Sequence, residues 1–288
     1  MFSDMEWGNN LYADMHIHTY FSDGTLAPEE VAEVAKNRGI SIISVCDHNS
    51  IEAYDRLRPA CDSLELTLIQ GVELDVCWEK TTLHVLAYNF DPQDKGIREL
   101  IARNKAEYDL EGLVLIENME KEYPSISTKD YEAYEKPLYR GGWKSINYLY
   151  DRGLSKNLLA DGFKYIKQYG KGLKFGSMEE ASKIIRSAGG VPILAHPGLY
   201  WDENEIHEVL PKLLTMGIGG LECFYPVHNK VFTKKCVDLC KASNLCITVG
   251  CDGHGEFAKE SRGVVCDIGV LKIDISMLNL HGIKNLLS

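Results

Sequence analysis

The sequence predicts an α/β fold in which parallel strands alternate with helices, interrupted once by a long helical insertion. Three observations carry this. Apolar, β-type runs recur along the chain with helix-like segments between them, the rhythm of a parallel α/β architecture. The rhythm stops over residues 101–175, which are charged, rich in tyrosine and almost without strand character, and then resumes. Six of the nine histidines (His16, His18, His48, His84, His196 and His254) fall at the ends of the strand-like runs or within them. Imidazoles and carboxylates gathered on one rim of a sheet or barrel are what divalent transition metals need.

The elements follow in order. A first strand is expected over residues 11–17, then a loop through Ser22-Asp23-Gly24-Thr25, with Thr25 in the cap region of a helix that starts at Pro28 and runs to residue 38. Gly39 stops that helix, and residues 40–45 form a strand that ends in Cys46-Asp47-His48. A helix over residues 53–57 precedes one strand spanning residues 66–69 and 72–76 with Gly71 inside it, and residues 82–88 form the next. After the insertion come helix 178–188, strand 191–195, helix 206–216, strand 221–224, helix 231–242 and strand 245–249. In a parallel barrel, chemistry sits at the carboxyl ends of the strands, where these ligand-type residues fall.

Composition narrows the class. The chain has 288 residues, 45% hydrophobic and 25% charged, enough for one large α/β barrel or two small domains. No apolar run approaches the roughly 18–20 residues that span a bilayer. The acidic start, residues 1–7, lacks the basic and apolar regions of a signal peptide. The nine cysteines are odd in number and include no C-x-x-C, so reduced thiols and a cytoplasmic protein are expected. A net charge of −11 disfavours stable, non-specific nucleic-acid binding, which needs clustered Lys and Arg. It leaves small phosphorylated substrates open, because bound cations dominate the field of a metal site.

Each motif has a plain structural alternative. His16 and His18, two apart on a strand, point the same way; Asp23 alone reads as a turn carboxylate. Asp47 is either part of the site or a cap for the following helix. Glu73 is a carboxylate in an apolar stretch, costly unless paired or coordinated, and Asp75 is the alternative bridging group. His84 alone reads as a hydrogen-bonded core residue, whereas Ala195-His196-Pro197-Gly198 breaks its strand at the imidazole. Cys46 and Cys251 each precede an Asp and face away from it, so neither is a ligand candidate. His207 and His281 lack a partner pattern.

Together these segments resemble the polymerase-and-histidinol-phosphatase (PHP) family. The matching pieces are His16-Ile17-His18-Thr19 with Ser22-Asp23-Gly24, Cys46-Asp47-His48-Asn49, Gly71-Val72-Glu73, His84-Val85-Leu86-Ala87-Tyr88, Ala195-His196-Pro197-Gly198, Gly220-Leu221-Glu222 with Tyr225-Pro226-x-His228, and Gly250-Cys251-Asp252-Gly253-His254. Single pieces are unspecific; seven in order are specific, and they span the chain outside the insertion. The resemblance implies a distorted (β/α)7 TIM-like barrel formed by residues 1–100 and 176–288, with residues 101–175 as a helical lid over the active site. It also implies two or three divalent ions (Mn, Fe or Zn): one held by His16, His18, Glu73 and Asp252, a second by Glu73, His84 and His196 with Glu73 bridging, and a third by Asp23, His48 and His254.

The implied activity is hydrolysis of a small phosphate ester, a nucleotide or phosphorylated ribose, including bisphosphates and cyclic phosphates. Bridging cations lower the pKa of a water and supply hydroxide for in-line attack on phosphorus. His228 is the first candidate general acid and Asp252 the second, with a loop hydrogen bond as the alternative role of His228. Substrate-binding candidates are Arg103, Arg140 and Lys144 in the insertion, each of which also reads as solvated surface charge, and Glu222. The sequence departs from the nucleotide phosphatases of the family at Leu199 and at Arg140-Gly141-Gly142-Trp143-Lys144-Ser145, which leaves the substrate open. Two other classes stay open: an amidohydrolase-type enzyme acting on C–N or C–O bonds, and a non-catalytic, metal-stabilised PHP module.

Overall fold

A computed structural model of the chain describes residues 11–283. The acidic start read above as lacking a signal lies outside the described residues. Strand β1 (Tyr12–Ile17), helix α1 (Pro28–Asn37), strand β2 (Ile40–Val45), helix α2 (Tyr54–Ser63) and strand β3 (Thr67–Leu68) build a three-stranded parallel sheet in the order β1-β2-β3. Helix α1 begins with Pro28 at its first turn, where no N–H is missed, and Glu30 reaches back to the Ala27 N–H; Thr25 is not the cap. Helix α2 continues through Pro59, six residues past the expected end, because its buried stripe of Tyr54, Leu57 and Cys61 packs against this sheet.

A second sheet of five strands follows the order β4 (Gly71–Trp78), β5 (Thr81–Tyr88), β6 (Val191–Leu194), β7 (Gly220–Phe224) and β8 (Cys246–Val249). Helices α7 (Met178–Ser187), α8 (Glu205–Thr215) and α9 (Lys230–Ala242) precede β6, β7 and β8. Two expectations are corrected here. The run read as one strand through Gly71 is two strands in different sheets, β3 and β4. A Cβ on Gly71 would lie 2.5 Å from Ser44 Oγ and 2.6 Å from Cys46 Sγ, so only glycine lets the chain cross so close to β2. The architecture is also not parallel throughout: β5 runs antiparallel to both β4 and β6. Only two residues part β4 from β5, too few for a parallel crossover.

The observed fold is thus α/β with mixed sheets. Among the described residues no continuous ladder closes the sheets into a barrel; isolated parallel bridges, Ile17 with Gly253 and His48 with Glu73, link their edges. Buried Asp14 adds a further tie, accepting from the Cys251 N–H at 3.0 Å and the Gly269 N–H at 2.8 Å.

The insertion is helical, as expected. Helices α3 (Lys95–Met119), α4 (Thr128–Ala133), α5 (Lys144–Asp151) and α6 (Leu158–Tyr169) bury an apolar cluster of their own that includes Leu115, Met119, Tyr148 and Leu149. Helix α3 starts six residues before the expected boundary, rooting the insertion in the body. A short hairpin, β9 (Glu260–Ser261) and β10 (Val264–Val265), follows β8. All nine cysteines are free. No described helix is long and apolar enough to cross a membrane.

Candidate metal centre

The end of β1 presents two imidazoles to the space between the sheets. His16 and His18 are fully buried, with their Nε2 atoms 3.1 Å apart. His16 Nδ1 donates to Glu222 Oε1 at 3.0 Å, which leaves the Nε2 lone pair free. That atom lies 3.3 Å from Glu73 Oε2 and 3.4 Å from Asp252 Oδ1; His18 Nε2 lies 3.3 and 3.1 Å from the same two oxygens. His16, His18, Glu73 and Asp252 therefore offer four converging donors.

The other oxygen of Glu73 serves a second cluster. Glu73 Oε1 is 3.0 Å from His84 Nδ1 and 3.2 Å from His196 Nε2. This cluster depends on the antiparallel β5. His84 sits in the amino-terminal half of its strand, which in a parallel strand would lie away from the active rim. Reversal of β5 brings it opposite Asp75 and next to Glu73. Glu73 and Asp75, two residues apart on β4, share one face. Only Glu73 stands between the two clusters; Asp75 approaches His84 Nε2 (3.3 Å) and His48 Nδ1 (3.8 Å) instead.

A third cluster joins His18, Asp23, His48 and His254. His254 Nε2 is 3.3 Å from Asp23 Oδ1, and the His254 ring stacks on His18 with centroids 4.0 Å apart. Asp47 is neither ligand nor helix cap. It accepts from the Thr19 N–H and Oγ1–H, both at 2.7 Å, and from Ser22 Oγ–H at 2.6 Å, and so shapes the loop that carries Asp23. His196 (φ 31°), Asp252 (φ 54°) and Asn49 (φ 48°) all occupy the left-handed region without being glycine. Such backbone costs on the order of 1–3 kcal/mol per residue and persists where the surroundings over-determine it.

The electrostatics match this crowding. Burial works against charge on His16, His18 and His84. Neighbouring carboxylates outweigh it and raise all three, His18 to about 10. Burial would likewise raise Glu73, Asp23 and Asp252, but the surrounding imidazoles hold each below the carboxylate range. The donor set fits divalent metal. Glu73 Oε2, His48 Nδ1 and His196 Nδ1 are buried without a hydrogen-bond partner, an arrangement costly in a dry interior. Two ligands bound about 2.0–2.2 Å from one ion stand roughly 3.0–3.5 Å apart, the spacing found between these nitrogens and oxygens.

The remaining predicted residues divide differently. His228 is held from both sides: its Nε2 accepts from the Gly198 N–H at 2.9 Å and its Nδ1 donates to the Cys223 carbonyl at 3.1 Å. Burial lowers its pKa to about 4. These contacts are the loop hydrogen bonds that stood as the alternative role of His228. Glu222 is fully buried, with one oxygen on His16 and the other accepting from the His196 N–H at 2.7 Å. It orients two of the ligand candidates, His16 and His196. Arg103 pairs with Glu180 and Arg140 with Asp151, both at the surface, whereas Lys144 donates to the Glu132 carbonyl and lines a recess that also includes His48.

Several contributors escaped the sequence reading. Asn49 donates to Asp75 Oδ2, and Tyr108 in α3 donates to Asp75 Oδ1 at 3.0 Å. Asn104, one turn earlier on α3, donates to Asn49 Oδ1 and to the Asp75 carbonyl, both at 2.8 Å. Tyr225 donates to Asp252 Oδ2 at 3.3 Å. The spacing of Asn104 and Tyr108, four apart on a helix, was the one available signal.

Fold and site define a protein with clusters of imidazoles and carboxylates able to hold metal, set between two sheets. The family model of the PHP domain matches residues 14–186, and the chain belongs to that family. A 5'-3' exoribonuclease of Haemophilus influenzae is 27% identical over 249 residues, 84% of this chain and 89% of that protein. A phosphoribosyl 1,2-cyclic phosphate 1,2-diphosphodiesterase of Eggerthella lenta is 24% identical over 262 residues, 85% of this chain and 95% of the relative. In fold, the chain resembles a crystal structure from Bifidobacterium adolescentis described as a metal-dependent phosphoesterase, with TM-score 0.73 and 22% identity over 94% of this chain and 98% of the other.

Proposed function

We propose that this chain is a metal-dependent phosphoesterase that hydrolyses a small phosphorylated metabolite, a nucleotide or a phosphorylated ribose. The observation that carries this reading is Glu73, whose two carboxylate oxygens serve two neighbouring ligand clusters while a third cluster adjoins through His18. Two or three divalent ions fit, and imidazole–carboxylate donors suit Mn, Fe or Zn. Bound there, such ions supply a nucleophile from water at neutral pH and neutralise phosphoryl charge.

The protein's own residues do the rest. His16, His18 and Asp252 hold one position, His84 and His196 a second, and Asp23, His48 and His254 a third. Glu222 keeps the His16 tautomer fixed. Asp252, the second candidate for proton transfer, also stands at the edge of the ligand set. Its side chain is 16% exposed where that of Glu73 is fully buried, and Tyr225 steadies its Oδ2. The two sheets are read as parts of one distorted (β/α)7 barrel, with the insertion as a lid at its mouth.

The test is phosphate release from a panel of nucleotides, sugar phosphates, a cyclic phosphate and a short RNA, with carboxylic esters and amides as controls, in Mn2+ and in chelator. Metal-dependent phosphate release from the small esters is expected. Turnover of the amides alone would transfer the site to the amidohydrolase class. Turnover of RNA alone would make the substrate a polymer.

A further inference from the structure

One recess beside the metal centre has no role in the chemistry above. It is a cavity of about 220 Å³ between the insertion and the body, and His48 stands at its inner end. Phe21, Tyr108 and Trp143 are its aromatic lining; its charged lining is Lys105, Lys136, Lys144 and Asp109. We propose that this recess is the leaving-group subsite, and that Trp143 is its specificity-determining side chain, selecting a substrate whose leaving group carries an aromatic base. The inference rests on the phosphoesterase reading for the word leaving group.

The local backbone is built to present Trp143. Gly141 and Gly142 before it are both left-handed, at φ 73° and 66°. The Gly142 N–H donates to the Asp23 carbonyl at 2.7 Å, and a Cβ on Gly141 would lie 2.7 Å from that same oxygen. Two successive glycines therefore let the insertion press against the loop of a ligand residue, and Trp143 follows at once. Its ring stacks on Tyr108, 6.0 Å between centroids and 9° between planes, while Phe163 and Phe257 meet it edge-on. Tyr108 in turn donates to Asp75. The aromatic wall is thus tied directly to the metal bed, and Trp143 is still partly exposed.

The recess is not simply apolar. Lys136 Nζ donates to the Ser22 carbonyl at 2.7 Å and to the Gly142 carbonyl at 2.8 Å. It has no ion pair among the described residues, and an ammonium has three donors, so one N–H is left for an anion. Lys144, also in the lining, likewise has no ion pair among the described residues, whereas Lys105 pairs with Glu52. An aromatic wall with two cations free of ion pairs suits a base joined to a phosphate. It gives a base-less sugar phosphate nothing to stack on.

The test compares adenosine with ribose as ligands of the Mn2+-loaded protein by calorimetry, and adenosine 5′-phosphate with ribose 5-phosphate as substrates. Base stacking predicts that wild type favours the adenosine member of each pair roughly ten- to hundredfold. Trp143→Leu removes that preference with little change in the ribose series or in metal content, and Trp143→Phe restores most of it. Equal treatment of the two ligands by wild type, or a uniform loss on both in Trp143→Leu, overturns the proposal. Preference for adenosine in binding without phosphate release from either ester supports the recess and removes the phosphoesterase reading instead.

Discussion

The rim between the two sheets and the helical insertion are both rich in charge, yet they use it differently. On the rim, Glu73, His16, His18 and Asp75 are buried completely; Glu73 lies 3.3 Å from both His16 and His18, and Asp75 lies 3.3 Å from His84 and 3.8 Å from His48. In the insertion, Arg103, Arg140 and Lys171 pair with Glu180, Asp151 and Glu107 in partly or well exposed ion pairs. Exposed pairs are worth little and answer to few constraints, typically 0–1 kcal/mol. A buried cluster without metal is costly, so its presence says that something divalent repays it. Charge points to function where it is dry, and to solvation where it is wet.

The strongest way to break this contrast is at Glu73. Glu73→Gln should reduce phosphate release to background and lower the metal content of the purified protein, expected at two to three divalent ions per chain, in the same sample. Full activity with full metal content would show that Asp75 is the bridge. Glu222→Gln comes next. It leaves every proposed ligand in place but loosens His16, and outer-shell changes of this kind usually cost about 10–100-fold in metal affinity or activity. An unchanged metal-binding isotherm would return Glu222 to a packing role.

Proton release sharpens the comparison further. In the metal-free protein His18 has its pKa raised to about 10 from an ordinary 6.5, so its charge stabilises the fold fully below pH 6.5, and that contribution is lost as pH rises toward 10. A metal competes for the same lone pair. Metal affinity should therefore climb with pH across that window, with protons released on binding. Calorimetry in two buffers of different ionisation enthalpy measures them; a pH-independent affinity with no proton release would contradict the assignment.

Smaller effects are expected away from the rim. His228→Asn removes a loop brace, so it should lower the melting temperature while kcat changes less than tenfold. A loss of roughly 10²–10⁴-fold, recovered on a nitrophenyl ester, would restore the general acid. Arg103→Ala, in an exposed pair, should leave both activity and metal content at wild type. A raised KM with unchanged kcat would bring that arginine back to the substrate.

Much of this was legible in the residues. The strand boundaries around β1, β2, β6, β7 and β8 follow from runs of Ile, Val and Leu closed by glycine or by a polar pair. Six of the nine ligand candidates (His16, His18, His48, His196, Asp252 and His254) stand at or just past the ends of such runs. Less was legible at His84, whose lone place in an apolar strand suits a core histidine equally well. At His228, Glu222 and Arg103, residue type suited chemistry, and only the tertiary structure shows which hydrogen bonds and ion pairs they make.

The sequence by itself determined the alternation of strand and helix, the helical character of the insertion, and the residue types able to bind metal, since periodicity and side-chain chemistry are local properties. Tertiary structure decided that β3 and β4 belong to different sheets and that β5 is reversed, so that His84 reaches Glu73. It also decided that Glu73 rather than Asp75 lies between the clusters, and that Trp143 faces the recess beside His48. Each of these depends on pairing direction and on approach between segments far apart in the chain. Neither is written in any one segment, because both are set by how the whole chain buries its apolar faces at once.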